Sequence, residues 1–163
     1  IIMGAKRSDP GQRANEVIRN VKLTKPFFLG VHEITNAQYM KFRQTNSKGS
    51  QLIDNQEPVT NLSWNDAALY CNWLSNNEGY PPFYTQKGNK ITSVNYNSHG
   101  YRLPTEAEWA WVSRSSAVKG KSQLRFPWGN KTVVKEYSGN YADESAKASV
   151  SEKASFNPSL QHE

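Results

Sequence analysis

The chain has 163 residues, a formal net charge of +6, 36% hydrophobic and 12% aromatic residues, and a mean hydropathy of −0.78. That length suits one domain burying roughly 70% of its unfolded surface, with Trp, Tyr and Phe carrying burial that aliphatic residues are too few to supply. No apolar run approaches a bilayer span and no basic-then-apolar leader opens the chain. The basic residues Lys6, Arg7, Arg13, Arg19, Lys22 and Lys25 are scattered without a nucleic-acid-binding motif, so a solvated surface is expected, nucleic acid is not, and anionic partners stay open.

In chain order, residues 1–34 read as extended segments: Ile1-Ile2-Met3, a polar loop around Asp9-Pro10-Gly11, an alternating stretch from Val17 to Leu23, and Phe27-Phe28-Leu29. Thr35-Asn36-Ala37-Gln38 has the T-x-x-Q form of a capping box, in which side chains at both ends satisfy each other's backbone donors. It predicts a short helix through about Arg43, with Tyr39 and Phe42 packed. A polar loop follows from Asn46 to Asn55.

Ser63 predicts the cap of a longer helix through about Asn76, ended near Gly79, Pro81 and Pro82. Trp64, Ala67, Ala68, Cys71 and Leu74 recur at the spacing of one buried face. Cys71 is the sole cysteine, so no disulfide or cysteine-based metal cluster can form within these residues, and a buried structural thiol is favoured over a nucleophile. Phe83-Tyr84-Thr85 and Ile91 to Val94 flank Lys87-Gly88-Asn89-Lys90, a surface hairpin with a Gly-containing turn. Pro104 ends an extended Tyr-Arg-Leu segment. Thr105 and Glu108 then form a T-x-x-E capping box, with Glu106 and Glu108 in the first turn where the helix dipole favours negative charge. Phe126-Pro127-Trp128-Gly129 packs or turns, and Ser138 to Ser151 is polar and loop-like. Short helices, short strands and long loops around aromatic residues make the fold class α+β.

The complete string Gly100-Tyr101-Arg102-Leu103-Pro104-Thr105-Glu106-Ala107-Glu108-Trp109 is more specific than a helix start. It resembles the RLPTEAEWE signature of the formylglycine-generating enzyme and sulfatase-modifying-factor family, with Ala110 in place of that family's usual third glutamate. Collinear matches accompany it: Met3-Gly4, His32 to Tyr39, Pro58-Val59, Leu62 to Ala67, and Phe126 to Gly129. The resemblance implies an irregular, loop-rich C-type-lectin-like fold, with residues 1–163 as a single domain that stops before the cysteine-bearing C-terminal part. The chain is therefore expected to be a piece of a longer protein, with aromatic surface left uncovered and its compartment open.

For the family's namesake, the resemblance implies an oxidase that uses copper and molecular oxygen to convert a sulfatase cysteine into formylglycine. Soft thiolate ligands suit Cu(I), and the family's paired cysteines lie beyond Glu163, so no catalytic or cofactor-binding residue is assigned here. The position of Cys71 matches a cysteine that is structural in disulfide-bonded members. Structural calcium is also implied. Asn140 and Tyr141, within Gly139-Asn140-Tyr141-Ala142-Asp143, match the segment that supplies an amide and a carbonyl oxygen to such an ion, although no Asp follows in the family's place between Glu144 and Glu152.

The three histidines, His32, His99 and His162, lack metal-ligand spacing, and Ser63, Asn65 and Asp66 read as a helix start rather than a nucleophilic set. Two functions are thus expected to compete on one scaffold. One is oxidation of a sulfatase-type protein substrate; the other is a non-catalytic module that binds peptide or glycan. A domain like that of ergothioneine-type sulfoxide synthases is a further resemblance, without the preceding helical domain that normally holds the iron.

Overall fold

A computed structural model describes residues 1–9, 12–115, 123, 124, 126 and 128–131. Helices and strands are mixed, giving the expected α+β class, and the chain divides into two compact units: residues 25–105, and residues 1–24 with 106–163.

The unit of residues 25–105 is built on two helices and a hairpin. Helix α1, Asn36–Met40, starts with the expected capping box: Gln38 N–H donates to Thr35 Oγ1 at 3.2 Å and Thr35 N–H to Gln38 Oε1 at 2.9 Å. The other first-turn donors are also used. Asn36 N–H reaches the Glu57 carbonyl at 2.8 Å and Ala37 N–H the Asn55 carbonyl at 3.0 Å, so the helix start leaves none of these amides without an acceptor. This helix ends three residues earlier than the apolar spacing predicts.

Helix α2, Trp64–Asn77, is capped by Ser63, whose Oγ accepts from Asp66 N–H. It ends in a Schellman arrangement: Tyr80 N–H donates to the Ser75 carbonyl at 2.8 Å and Gly79 N–H to that of Asn76 at 3.3 Å, with Gly79 at φ +75°. That left-handed conformation is why glycine stands there.

Strands β3, Tyr84–Lys87, and β4, Lys90–Val94, pair antiparallel around Gly88 and Asn89, with an irregularity between Thr85 and Gln86. Gly88 at φ +57° is the first of the two turn residues, the position that a II′-type hairpin turn reserves for glycine. The hairpin is largely exposed, as expected, and it buries one side: Tyr84, with the half-buried Ile91 and Val94. It packs on α2, and Ala68 and Cys71 of the helix cluster with Phe83 and Tyr84, flanked by Ile91, Val94 and Leu103.

Two groups of rings line α2. Tyr39, Phe42, Tyr70 and Trp73 meet at centroid distances of 5.3–5.9 Å. On the hairpin side, Trp64, Tyr84, Phe83 and Tyr96 follow one another at 5.6, 5.0 and 6.0 Å, each contact edge-to-face. Such pairs contribute about 0.5–1.5 kcal/mol beyond area burial. Trp64, expected on the buried face, is instead 59% exposed. The buried face is centred on Ala68, Cys71, Asn72 and Ser75, so the first turn overhangs it. The expected strand at Phe27–Leu29 is absent: no described strand pairs with it, and Phe28 and Val31 are exposed.

In the other unit, β1, Ile2–Met3, pairs antiparallel with β2, Arg19–Asn20, a much shorter strand than the alternation from Val17 to Leu23 predicts. Gly4, at φ +82°, lies so close to the Val17 carbonyl that a Cβ would overlap it. Helix α3, Glu106–Arg114, carries Glu106 and Glu108 in its first turn. Arg114 Nε donates to the Leu124 carbonyl at 2.8 Å, and Leu124 N–H returns to the Arg114 carbonyl at 2.7 Å. Phe126 and Gly129 exchange backbone hydrogen bonds at 2.9 and 3.0 Å, and the Phe126 and Trp128 rings stack at 5.0 Å, so this motif is a turn.

Candidate functional site

The residues Gly100 to Leu103 are held by α2 and the hairpin. Tyr101 N–H donates to Ser75 Oγ at 2.8 Å, and that hydroxyl donates to the Cys71 carbonyl at 2.9 Å. Tyr101 Oη donates to Glu78 Oε2 at 2.6 Å, and Leu103 N–H donates to Tyr84 Oη at 3.1 Å. The Glu78 carboxylate accepting from Tyr101 pushes the phenol above its usual range, and partial burial adds to this. Glycine at position 100 is a packing requirement: a Cβ there would stand 2.7 Å from Ser75 Oγ and overlap the Pro81 carbonyl.

The densest polar cluster lies at the start of α2. Arg43 Nη1 meets Asp66 Oδ1 at 2.6 Å, while Ser47 Oγ and Ser63 Oγ donate to Asp66 Oδ2 at 2.5 and 2.8 Å. Burial pushes the Asp66 carboxyl up, but the hydrogen bonds from Ser47, Ser63 and Arg43 and the guanidinium charge outweigh it and hold the group below the ordinary carboxylate range. The carboxylate thus ties the turn after α1, through Arg43, and the Ser47 loop to the start of α2. No histidine joins the cluster, so Ser63 stays a cap, as its position predicts.

Cys71 is a free, buried thiol, which burial pushes up to about 11 against a smaller lowering by a backbone hydrogen bond. A thiol so protonated is neither a nucleophile nor a ready metal ligand. His32 and His99 are exposed and lie in separate loops. Among the described residues, no three His, Cys, Asp or Glu side chains gather where a metal ion could sit, and no helix is long and apolar enough to cross a membrane. Asn140, Tyr141 and His162 lie outside the described residues.

Several positioning residues escape sequence reasoning. Asn72, 2% exposed, donates from Nδ2 to the Tyr84 carbonyl at 2.8 Å and accepts at Oδ1 from Tyr84 N–H at 3.1 Å. Asn65 treats the hairpin turn in the same way, donating to the Asn89 carbonyl at 2.6 Å and accepting from Ile91 N–H at 2.9 Å. Two asparagines seven apart on one helix face were the available signal, because seven residues return a side chain to nearly the same side.

Residues 2–161 match the family described as the sulfatase-modifying factor enzyme 1-like domain. The chain belongs to that family. It is 33% identical over 109 residues to the chaperone protein LppX of Paenibacillus barcinonensis, covering 58% of this chain and 38% of that protein. The formylglycine-generating enzyme of Thermomonospora curvata is 35% identical over 83 residues, 50% of this chain and 18% of the enzyme. The inactive C-alpha-formylglycine-generating enzyme 2 of Bos taurus is 34% identical over 91 residues, 55% of this chain and 21% of that protein. The matched stretches thus span well under half of each relative. No solved structure matches the chain. The relatives thus include a protein named as a formylglycine-generating enzyme and one named as inactive.

Proposed function

We propose that the chain is scaffold of a formylglycine-generating-enzyme-like domain with a C-type-lectin-like fold, and that oxidation of a sulfatase-type cysteine requires a cysteine pair in addition to the residues present. The match over residues 2–161, with formylglycine-generating enzymes among the relatives, carries this reading. Copper is the oxidant's metal in that chemistry, and Cys71 does not fit it: the thiol is buried, held protonated, and has no second cysteine in the chain. No catalytic step is therefore assigned to these residues. Structural calcium, held by the Asn140 side chain and the Tyr141 carbonyl, belongs to the same proposal.

The test is aldehyde formation on a Cys-x-Pro-x-Arg peptide by a copper-loaded protein of this family that joins the chain to a cysteine pair. Aldehyde trapped by a hydrazide reagent is the expected product; its absence in a folded, copper-replete protein defeats the oxidase reading. A non-catalytic peptide- or glycan-binding module is the second reading, favoured by the similarity to an inactive homologue and to a protein named as a chaperone. Peptide and glycan arrays with no hits at high protein concentration would remove it.

A further inference from the structure

Glu78 puts a negative charge where a helix tolerates it least. It is the C-cap of α2, whose last turn holds no basic residue, so the carboxylate stands at the negative end of the helix dipole. Among the described residues it has no ion-pair partner. Arg102, next in sequence to Tyr101, is engaged elsewhere: its guanidinium lies over the Phe83 ring at 5.6 Å and donates to the Leu103 carbonyl at 3.1 Å. What holds the Glu78 side chain is a neutral donor, Tyr101 Oη, 2.6 Å from Oε2. Glu78 Oε1 accepts from none of the described residues.

A second tyrosine stands against the first. Tyr80 and Tyr101 meet at 6.3 Å between ring centroids with 75° between their planes, so the rings form a corner rather than a stack. Both backbones are fixed by the same buried residue: the Ser75 carbonyl accepts from Tyr80 N–H at 2.8 Å, and the Ser75 hydroxyl accepts from Tyr101 N–H at 2.8 Å. The side chains stay open, Tyr80 47% and Tyr101 40% exposed. The Tyr80 phenol is close enough to add to the upward push that Glu78 exerts on Tyr101. A carboxylate and two half-open rings thus share one fixed base, and both the carboxylate and the electron-rich ring faces favour a cation.

We propose that Glu78, Tyr80 and Tyr101 form a binding subsite for the guanidinium of an arginine side chain presented by a partner protein. The guanidinium donates to Glu78 Oε1 and lies on a tyrosine face, neutralising the charge at the helix end. Arginine fits better than lysine, because its planar, weakly hydrated fork can donate to a carboxylate and stack on a ring at once. It fits better than a quaternary ammonium, because the open carboxylate oxygen calls for an N–H donor. The subsite is independent of whether the domain oxidises cysteine.

The test is an NMR titration of the isotope-labelled 163-residue chain with acetyl-Gly-Arg-Gly-amide, a peptide without cysteine, so its failure leaves the oxidase reading untouched. Saturable shifts at Glu78, Tyr80 and Tyr101 are expected, with binding in the millimolar range. Affinity should fall about fivefold or more in Glu78→Gln and in Tyr80→Ala, and stay unchanged in Asp54→Asn, which removes an exposed carboxylate from the loop between α1 and α2. The melting temperature of Glu78→Gln should hold or rise, because the amide oxygen still accepts from Tyr101 while the charge at the helix end is gone; this separates lost binding from lost folding. The matching citrulline peptide, which has the shape without the charge, should not bind, and the lysine peptide should bind more weakly. Equal binding in Glu78→Gln, equal binding of the citrulline or the lysine peptide, shifts confined to other residues, or a linear response without saturation would each overturn the proposal.

Discussion

Asn72 and Tyr84 form a two-point pair in which a buried side-chain amide takes the place of a neighbouring strand, donating to the Tyr84 carbonyl and accepting from its N–H. Asn72→Ala would leave both backbone groups buried without partners, at about 1–3 kcal/mol each. A loss of roughly 2–6 kcal/mol in denaturant unfolding is expected from those two penalties. Asn72→Asp should also destabilise at neutral pH, because a carboxylate accepts from the N–H but repels the carbonyl. Unfolding midpoints equal to the parent chain would show that the amide pairing does not hold the hairpin.

Gly100→Ala tests the packing of the signature segment against α2. The added methyl meets Ser75 Oγ and the Pro81 carbonyl, and overpacking of this kind costs about 1–3 kcal/mol. The hydroxyl that would be displaced also receives Tyr101 N–H. Amide exchange at Tyr101 should therefore accelerate in the variant, whereas unchanged exchange would place the glycine's role elsewhere.

Asp66 gives a pH dependence whose sign follows from its lowered folded-state value. Its contribution is fully present above the unfolded carboxyl value, about 3.9, and is lost as pH falls through the lower folded value. From about pH 5 down to pH 2.5, the parent chain should lose more stability than Asp66→Asn, which has no such proton to take up. Parallel stability curves for the two proteins would mean that the Arg43, Ser47 and Ser63 contacts do not favour the ionised form.

Much of the unit spanning residues 25–105 was legible because its signals are local. Thr35 and Ser63 are caps, Gly79 ends α2, and Gly88 turns the hairpin; each needs only neighbouring residues to act. The failures need distant ones. The Asn72 to Tyr84 pairing and the Arg43 to Asp66 ion pair depend on how elements meet, which spacing cannot report. Trp64 has the period of the buried face yet overhangs it by one turn, and Phe27–Leu29 has strand composition yet joins no described strand. The candidate site was legible only as a family signature, whose segment from Gly100 to Leu103 proves to be an anchor on α2 and the hairpin.

Calcium addresses the ion proposal at Asn140 and Tyr141. Titration should raise the melting temperature of the chain, and Asn140→Ala should abolish the rise. An unchanged midpoint at millimolar calcium removes the ion from the proposal.

The most direct measurement is aldehyde formation on a Cys-x-Pro-x-Arg peptide by the copper-treated 163-residue chain itself, compared with Cys71→Ala. With Cys71 buried and its thiol pushed up to about 11, no aldehyde is expected from either protein. Catalytic aldehyde formation by the parent chain, lost in Cys71→Ala, would contradict the assignment of these residues as scaffold.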